Sequence, residues 1–153
     1  MTPPQPGDPA PPFALPADDG STLSLADLAG QRVVLYFYPK DDTGGCTTEA
    51  CEFRDLAADF DATGSRVIGV SPDPVRSHVR FRDKHGLPFT LLSDPDHAVA
   101  EAYGVWVQKS MYGRTYMGVE RSTFVIGPDG TIEQALRKVK PKGHAASVLG
   151  LLG

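Results

Sequence analysis

The sequence predicts a domain of the α/β class in which helices flank a central mixed sheet. Segment 33–38 is apolar or aromatic throughout, as in a strand that is buried on both faces, and segment 66–71 is predicted to be a second buried strand. Segments with a helical spacing of apolar residues follow them at 46–62 and 74–85. Because strands and helices alternate, we expect crossover connections and a mainly parallel sheet.

The N-terminal part of the chain predicts a small β-hairpin ahead of this sheet. Residues 1–12 are dominated by Pro, Gly and Asp and are expected to form an extended arm. Asp19 and Gly20 are a turn signal between two short extended segments. One helical turn is expected at 26–28.

The rest of the chain continues the alternation and closes it with a second hairpin. Asp73 is expected to cap the helix that begins at Pro74. The other predicted elements are a strand at 89–92, a helix that starts at 94–96 and runs to 103, strands at 122–126 and 132–137, and a helix at 144–152. The last two strands give the sheet an antiparallel edge. Residues 1–153 are expected to form a single domain.

Composition and charge exclude several classes of protein. The net charge is −4 and Lys and Arg are scattered, so there is no basic surface for nucleic acid. No apolar run reaches the roughly 20 residues of a membrane span, and the N-terminus does not resemble a signal peptide. We therefore expect a cytoplasmic protein with neither nucleic acid nor membrane as a partner. In that compartment its two cysteines are seldom a structural disulfide.

Cys46 lies where the first buried strand passes through a loop into a helix. Unpaired N–H groups and the helix dipole stabilise a thiolate there, by about 0.3–2 kcal/mol. Converting an ordinary thiol almost wholly to thiolate at neutral pH requires roughly 3.4 kcal/mol. A second positive group is therefore needed. Arg121 is the candidate, because it begins a strand whose edge could face this loop.

The loop before Cys46 predicts a cradle for a polar pair of oxygen atoms. Gly44 and Gly45 leave backbone N–H groups accessible, and Thr43 offers a hydroxyl. Such donors would stabilise the charge that develops as an O–O bond breaks. Each feature alone has a plainer interpretation: Thr43 as a helix cap, the glycines as an ordinary loop, and Arg121 as a solvated strand end. Their combination favours a reactive thiol at Cys46.

The spacing between Cys46 and Cys51 predicts a change of structure if they form a disulfide. Five residues along a helix separate the Cα atoms by roughly 8.6 Å, whereas a disulfide requires less than about 7 Å. The helix would have to unwind by a turn or more. The alternative is that Cys51 is simply a small apolar residue on the core face of the helix.

Residues 39–46, PKDDTGGC, match the active-site pattern of peroxiredoxins: Pro, three residues, Thr, two residues, Cys. The following stretch, 47–55, resembles the bacterioferritin comigratory protein group, also called Q-type peroxiredoxins. Similar segments extend along the chain, including 121–126 with its leading Arg. The resemblance implies a thioredoxin-like fold and thiol-dependent reduction of hydrogen peroxide and alkyl hydroperoxides, with no cofactor.

The resemblance also implies a role for each residue of the motif. Cys46 would be the peroxidatic cysteine, with Thr43 and Arg121 binding the peroxide and Pro39 shielding the thiolate. Cys51 would be the resolving cysteine, closing an intramolecular disulfide. Thioredoxin or a similar dithiol protein would then reduce that disulfide.

Three further expectations concern Glu49, the loop before Cys46 and the assembly. Glu49 lies where related enzymes place a carboxylate that holds the arginine. The group usually has Thr-Pro-Gly-Cys, and here the sequence is Thr-Gly-Gly-Cys, so Gly45 matches the pattern and Gly44 replaces the Pro. This replacement predicts a more mobile loop. We expect a monomer, because no long C-terminal extension is present to carry a cysteine to a neighbouring chain.

Three alternative functions fit the sequence less well. A thioredoxin-type disulfide reductase requires Cys-x-x-Cys, and here four residues separate the cysteines. A structural zinc module requires four ligands, but the histidines lie far from the cysteines in sequence and are interpreted as surface residues. These are His78, His85, His97 and His144. A non-catalytic binding module on the same fold would not need the full motif.

Overall fold

A computed structural model describes residues 3–152 of the chain and contains nine strands and five α-helices within that range. The strands are β1 (Ala14–Pro16), β2 (Thr22–Ser24), β3 (Arg32–Phe37), β4 (Ser65–Ser71), β5 (Thr90–Ser93), β6 (Trp106–Met111), β7 (Arg114–Val119), β8 (Ser122–Ile126) and β9 (Ile132–Leu136). The helices are α1 (Gly44–Asp55), α2 (Ala57–Ala62), α3 (Val75–His85), α4 (Ala98–Ala102) and α5 (His144–Leu152). A single 3₁₀ turn covers Leu25–Leu28. The predicted N-terminal hairpin and final helix are confirmed.

The central sheet has the strand order β5-β4-β3-β8-β9. The β3–β4 and β4–β5 pairs are parallel, and the β3–β8 and β8–β9 pairs are antiparallel, so the predicted mixed sheet with an antiparallel edge from the closing hairpin is confirmed. The connection from β5 to β8 begins and ends at the same ends of the strands, the carboxyl ends of β3, β4 and β5. As a result β8 runs opposite to β3. Ser122 consequently pairs with Phe37. Arg121 therefore lies beside the end of β3.

Both faces of the sheet are covered, as the continuous apolar sequence of β3 predicts. The odd-numbered side chains from Val33 to Phe37 pack in a cluster with α4 and the β1–β2 hairpin. The even-numbered side chains from Val34 to Tyr38 pack in a second cluster with α1, α2, α3 and α5. The second cluster includes Cys46, so the thiol rests on the core.

The predicted helix at 46–62 is in fact two helices. It begins at Gly44, two residues before Cys46, and is interrupted at Leu56, whose φ and ψ of −102° and 10° are outside the helical range. Leu56 closes α1 and opens α2 without a Gly or Pro to mark the break. The predicted cap of α3 was also wrong. Pro74 occupies the N-cap position, and the Asp73 carboxylate instead accepts a hydrogen bond from the Ser71 hydroxyl.

The sequence did not predict the β6–β7 hairpin. Most of its side chains are at least partly exposed, so they show no buried periodicity. Its two-residue turn is Tyr112-Gly113, with positive φ at both positions. Such a turn usually carries Asn-Gly or Asp-Gly, and a bulky first residue weakens the sequence signal.

The described part of the N-terminal arm is held in place. Gly7 N donates to the carbonyl of Ile132, and Ala10 N donates to the carbonyl of Gly130, both at 2.9 Å. The first two residues of the predicted arm lie outside the described residues. Between residues 3 and 152, no helix is both long enough and apolar enough to cross a membrane.

Candidate active site

The candidate site lies where the end of β3 and the start of α1 meet the start of β8. Pro39 follows β3 and is half-buried, and the loop 39–43 leads directly into α1. Cys46 is the third residue of that helix. Its thiol is therefore within the first turn, where backbone N–H groups have no partner inside the helix.

Arg121 connects the thiol to a buried carboxylate. Its Nη2 lies 3.3 Å from Sγ of Cys46, and its Nη1 donates to Oε1 of Glu49 at 2.6 Å. Cys46 is only 2% exposed, and Glu49 is fully buried. The spacing of three residues places both on the inner face of α1. The guanidinium is therefore placed to be the second positive group that is needed because the helix terminus alone stabilises a thiolate too weakly.

Glu49 is incompletely paired. Its Oε2 has no hydrogen-bond partner among the described residues. Burial raises the pKa of Glu49 from 4.5 to about 7, while the charge and hydrogen bond of Arg121 act in the opposite direction. The carboxylate therefore titrates near neutral pH and holds Arg121 from one side only.

The two glycines of the loop have different surroundings. A Cβ on Gly45 would lie 3.2 Å from Nη2 of Arg121 and 3.2 Å from Cγ of Pro141. Gly45 therefore leaves the room in which the guanidinium approaches the sulfur. Gly44 is the first residue of α1, and a Cβ there would have nothing within 4 Å.

Thr43 is the N-cap residue of α1, but its side chain does not cap the helix. The hydroxyl instead donates to the carbonyl of Lys40 at 2.9 Å. The plainer interpretation of the hydroxyl as a helix cap is therefore not seen, and the hydroxyl is not the free donor that the sequence predicts. Because its hydrogen is used within the loop, the exposed Thr43 oxygen remains available as an acceptor.

Cys51 lies on the same unbroken helix as Cys46 and is half-buried. Both thiols are free. The helix that separates them runs without interruption from Gly44 to Asp55, so the geometric barrier to a disulfide that the sequence predicts is present in this state.

Sequence reasoning missed the polar groups behind the loop. The expectation of surface histidines was wrong for His78, which is fully buried, and for His144, which is 6% exposed. The signal was present for His78, since it lies three residues before the buried Phe81 on the same face of α3. Between residues 3 and 152, the side chains close enough to share a metal ion are Asp41, Asp73 and His78, and neither cysteine is among them.

His144 does not add positive charge to the site. Burial, followed by the charge of Arg121, lowers its pKa to about 4, so the ring is neutral at pH 7. Its Nε2 lies 2.6 Å from the Thr123 hydroxyl. Among the described residues, Arg121 is the cation that is hydrogen-bonded to the thiol.

Comparison with known proteins gives consistent results. The model of the AhpC/TSA family matches residues 6–135. The chain is 53% identical over 146 residues to a putative peroxiredoxin Bcp of Coxiella burnetii, covering 95% of this chain and 97% of that one. It is 50% identical over 146 residues to peroxiredoxin Bcp of Bacillus subtilis, covering 95% and 93%. The bacterioferritin comigratory protein of Xanthomonas campestris, studied structurally for its alkyl peroxide reduction activity, superimposes with a TM-score of 0.87 at 46% identity, covering 92% and 89%.

Replacing Gly44 by Pro should stabilise the protein. Gly44 is the first residue of α1, where Pro is compatible with the helix, and Thr43 already has the extended φ and ψ of −94° and 159° that precede Pro. We expect Gly44→Pro to raise the free energy of unfolding by about 0.4–1 kcal/mol, measured by urea denaturation. Gly45→Ala is the contrasting control and should destabilise, because its Cβ would crowd Arg121. Equal effects of the two changes would contradict this assignment.

The Glu49→Gln variant should differ from the wild type in how stability depends on pH. The folded pKa of Glu49, about 7, lies above its ordinary value of 4.5. Between these values the folded wild type holds the extra proton, so this group's contribution to stability falls as pH rises. We expect urea denaturation of the reduced proteins to show a wild-type stability, relative to Glu49→Gln, that declines from pH 4.5 to 7 and then levels. A constant difference, or one that grows with pH, would contradict the raised pKa.

Proposed function

The chain belongs to the AhpC/TSA family and is a peroxiredoxin of the Bcp, or Q-type, group, and we propose that Cys46 is the thiol that reduces the peroxide and Cys51 the thiol that resolves its sulfenic acid. The protein is a thiol peroxidase with the thioredoxin-like peroxiredoxin fold. The observation that carries the proposal for Cys46 is the 3.3 Å contact between its sulfur and Nη2 of Arg121.

The first step is attack of the Cys46 thiolate on one oxygen of the peroxide. The S–O bond forms as the O–O bond breaks, leaving a sulfenic acid on Cys46 and an alkoxide or hydroxide that takes up a proton. Negative charge moves from sulfur to the leaving oxygen, so donors must face both atoms. Arg121 and the first N–H groups of α1 supply these donors. The Thr43 oxygen is free to accept a hydrogen bond from the hydroxyl of the peroxide.

Alkyl hydroperoxides are part of the proposed substrate class. A groove of about 460 Å³ adjoins Arg121 and has a mixed lining. Val107, Tyr116 and Val139 give it apolar surface, and Lys109 and Lys138 give it positive charge. It offers space for the organic substituent of a hydroperoxide beside the guanidinium that contacts the thiol.

The second step is attack of Cys51 on the Cys46 sulfur, which forms the disulfide and releases the sulfenic oxygen as water. This step requires α1 to unwind, and Phe53 opposes it. Its ring is fully buried and stacks on Tyr36 with 4.7 Å between ring centroids. Full burial of such a side chain contributes about 1.5–3 kcal/mol, which condensation of the sulfenic acid must exceed.

The break at Leu56 supports a limited unwinding. Because α1 ends there, α2 can keep its packing on β4 while the preceding helix opens. Few polar contacts hold the C-terminal half of α1, and they lie near the surface. The Glu52 carboxylate accepts from Gly143 N at 2.8 Å, and Arg54 Nη1 donates to the carbonyl of His85 at 2.7 Å.

The reductant, assembly and location complete the proposal. Thioredoxin or a similar dithiol protein is the proposed reductant, because thiol–disulfide exchange returns both cysteines to thiols. Arg121, Thr43 and both cysteines come from one chain, which supports a monomer as the active form. A cytoplasmic location fits a cycle that depends on a reducing compartment.

Cysteine variants test the assignment directly. With thioredoxin, thioredoxin reductase and NADPH, Cys46→Ser should not consume hydrogen peroxide. Cys51→Ser should react once per chain, as Cys46 becomes a sulfenic acid, and then lose turnover with thioredoxin. Sulfenic acid trapping by dimedone and mass spectrometry identifies the oxidised residue. Full activity in Cys46→Ser would reject the central assignment, and full thioredoxin-dependent turnover in Cys51→Ser would reject the resolving role.

Far-UV circular dichroism tests the unwinding of α1. Protein oxidised with one equivalent of peroxide, with the Cys46–Cys51 disulfide verified by peptide mapping, should have less helical signal than the reduced protein. The expected loss corresponds to part or all of the 12 residues of α1. Cys51→Ser treated in the same way is the control and should keep its helical signal. An unchanged spectrum in the verified disulfide form would show that the helix does not open.

A further inference from the structure

A buried polar network lies behind the loop that precedes Cys46. Asp41, in that loop, is 7% exposed. Its Oδ1 accepts from the Tyr38 hydroxyl at 2.5 Å, and its Oδ2 accepts from the Ser77 hydroxyl at 2.8 Å. Nδ1 of the fully buried His78 lies 2.7 Å from the same Oδ2. Ser77 and His78 belong to α3, so this helix reaches the loop through one carboxylate.

The partners of His78 determine where its hydrogens lie. Nε2 is 2.8 Å from the carbonyl of Leu92, which can only accept, so Nε2 carries a hydrogen. Burial raises the pKa of Tyr38 well above its ordinary value, so the phenol keeps its proton and donates to Asp41. Nδ1 and Oδ2 of Asp41 are only 2.7 Å apart, a hydrogen-bond distance, so the ring and the carboxylate are joined directly. Removing the ring would leave the buried carboxylate without this partner.

Among the residues of the loop, Asp41 is the one held by the most hydrogen bonds. Its backbone N–H donates to Oδ2 of Asp73 at 2.8 Å, so both its main chain and its side chain are held. Asp42, the next residue, has a φ of 59°, a left-handed conformation that residues other than glycine seldom adopt without support. The Thr43 hydroxyl is held by the carbonyl of Lys40, the residue before Asp41. The position of Thr43 therefore depends on Asp41.

A second contact between α3 and the loop is exposed. Lys84 Nζ lies 2.8 Å from the Asp42 carboxylate, and the two side chains are 60% and 47% exposed. An ion pair of this kind is screened by water and contributes little. The buried contacts of Asp41 with Ser77 and His78, rather than the exposed contact of Asp42, are therefore the ones by which α3 fixes the loop.

We propose that His78 is a positioning residue for peroxide reduction, which acts through Asp41 to hold Thr43 and the start of α1 in place around Cys46. The proposal rests on the proposed role of Cys46 as the peroxide-reducing thiol. His78 touches neither the thiol nor the peroxide. It keeps the cradle formed before the peroxide arrives, so that binding does not require the loop to become ordered.

Two substitutions at His78 separate its two hydrogen bonds. His78→Asn places an amide N–H at the depth of Nδ1, where it can donate to Asp41. His78→Gln places it at the depth of Nε2, where it can donate to the Leu92 carbonyl but not to Asp41. Lys84→Gln removes the exposed contact to Asp42 and is the matched control.

Two rates are measured in a Cys51→Ser background, in which the sulfenic acid persists. The first is oxidation of Cys46 by hydrogen peroxide, followed by rapid quench and mass spectrometry, and the second is alkylation of Cys46 by iodoacetamide. His78→Gln should lower the peroxide rate constant about 10- to 100-fold, the effect expected for a misplacement of about 1 Å. Its alkylation rate should not fall, since alkylation needs the thiolate but not the cradle. His78→Asn and Lys84→Gln should keep most of the peroxide rate.

The outcomes are distinguishable. An unchanged peroxide rate in His78→Gln, or a parallel fall of both rates, would overturn the positioning role while leaving Cys46 as the reactive thiol. Absence of any oxidation at Cys46 in the parent protein would instead overturn the proposed function. If His78→Gln does not fold, Ser77→Ala removes one donor to Asp41 and should give the same selective loss at smaller size. Equal peroxide rates in Ser77→Ala and its parent would then count against the proposal.

Discussion

The site depends on one guanidinium that is shared between a thiol and a carboxylate. A planar fork of donors can serve both partners, whereas a single ammonium group cannot hold both directions. The antiparallel pairing of β3 and β8 carries Arg121 to the sheet edge where α1 begins, and Gly45 leaves space for it. Cys46 also lies in the first turn of α1, where the helix terminus adds its partial positive charge. The proposed activation of Cys46 is thus a property of the topology as much as of the motif.

The Glu49 carboxylate has two opposing effects on the site. Glu49 orients Arg121 through a hydrogen bond of 2.6 Å, but its negative charge also offsets part of the field that stabilises the thiolate. Burial, by raising its pKa to about 7, reduces this conflict, because a protonated Glu49 can still accept from Arg121 without repelling the sulfur. The position thus keeps its geometric role through the titration. Functional sites commonly hold such locally unfavourable groups at some cost to stability.

Local patterns predicted the parts of the structure that local physics determines. The buried strands, the helix that carries Cys46 and the pairing of Arg121 with this loop all follow from apolar runs, turn residues and strand ends. The break at Leu56 could not be predicted, since no Gly or Pro marks it. The buried state of His78 was missed because its partners, Asp41 and Leu92, come from distant parts of the chain. The roles of Thr43 and Pro39 depend on a peroxide and stay predictions.

The two sides of Cys46 are held by different kinds of force, and this difference decides which side can open. Before the thiol, directional hydrogen bonds in a buried network hold the loop, and breaking them strands charged groups away from water. After it, α1 is held mainly by packing of Phe53, which is not directional and can be regained or lost gradually. Disulfide formation must separate one side from the core. Of the two sides, the one held by packing is the one expected to give way at lower free energy, which is why the proposed cycle unwinds the helix and leaves the peroxide cradle in place for the next turnover.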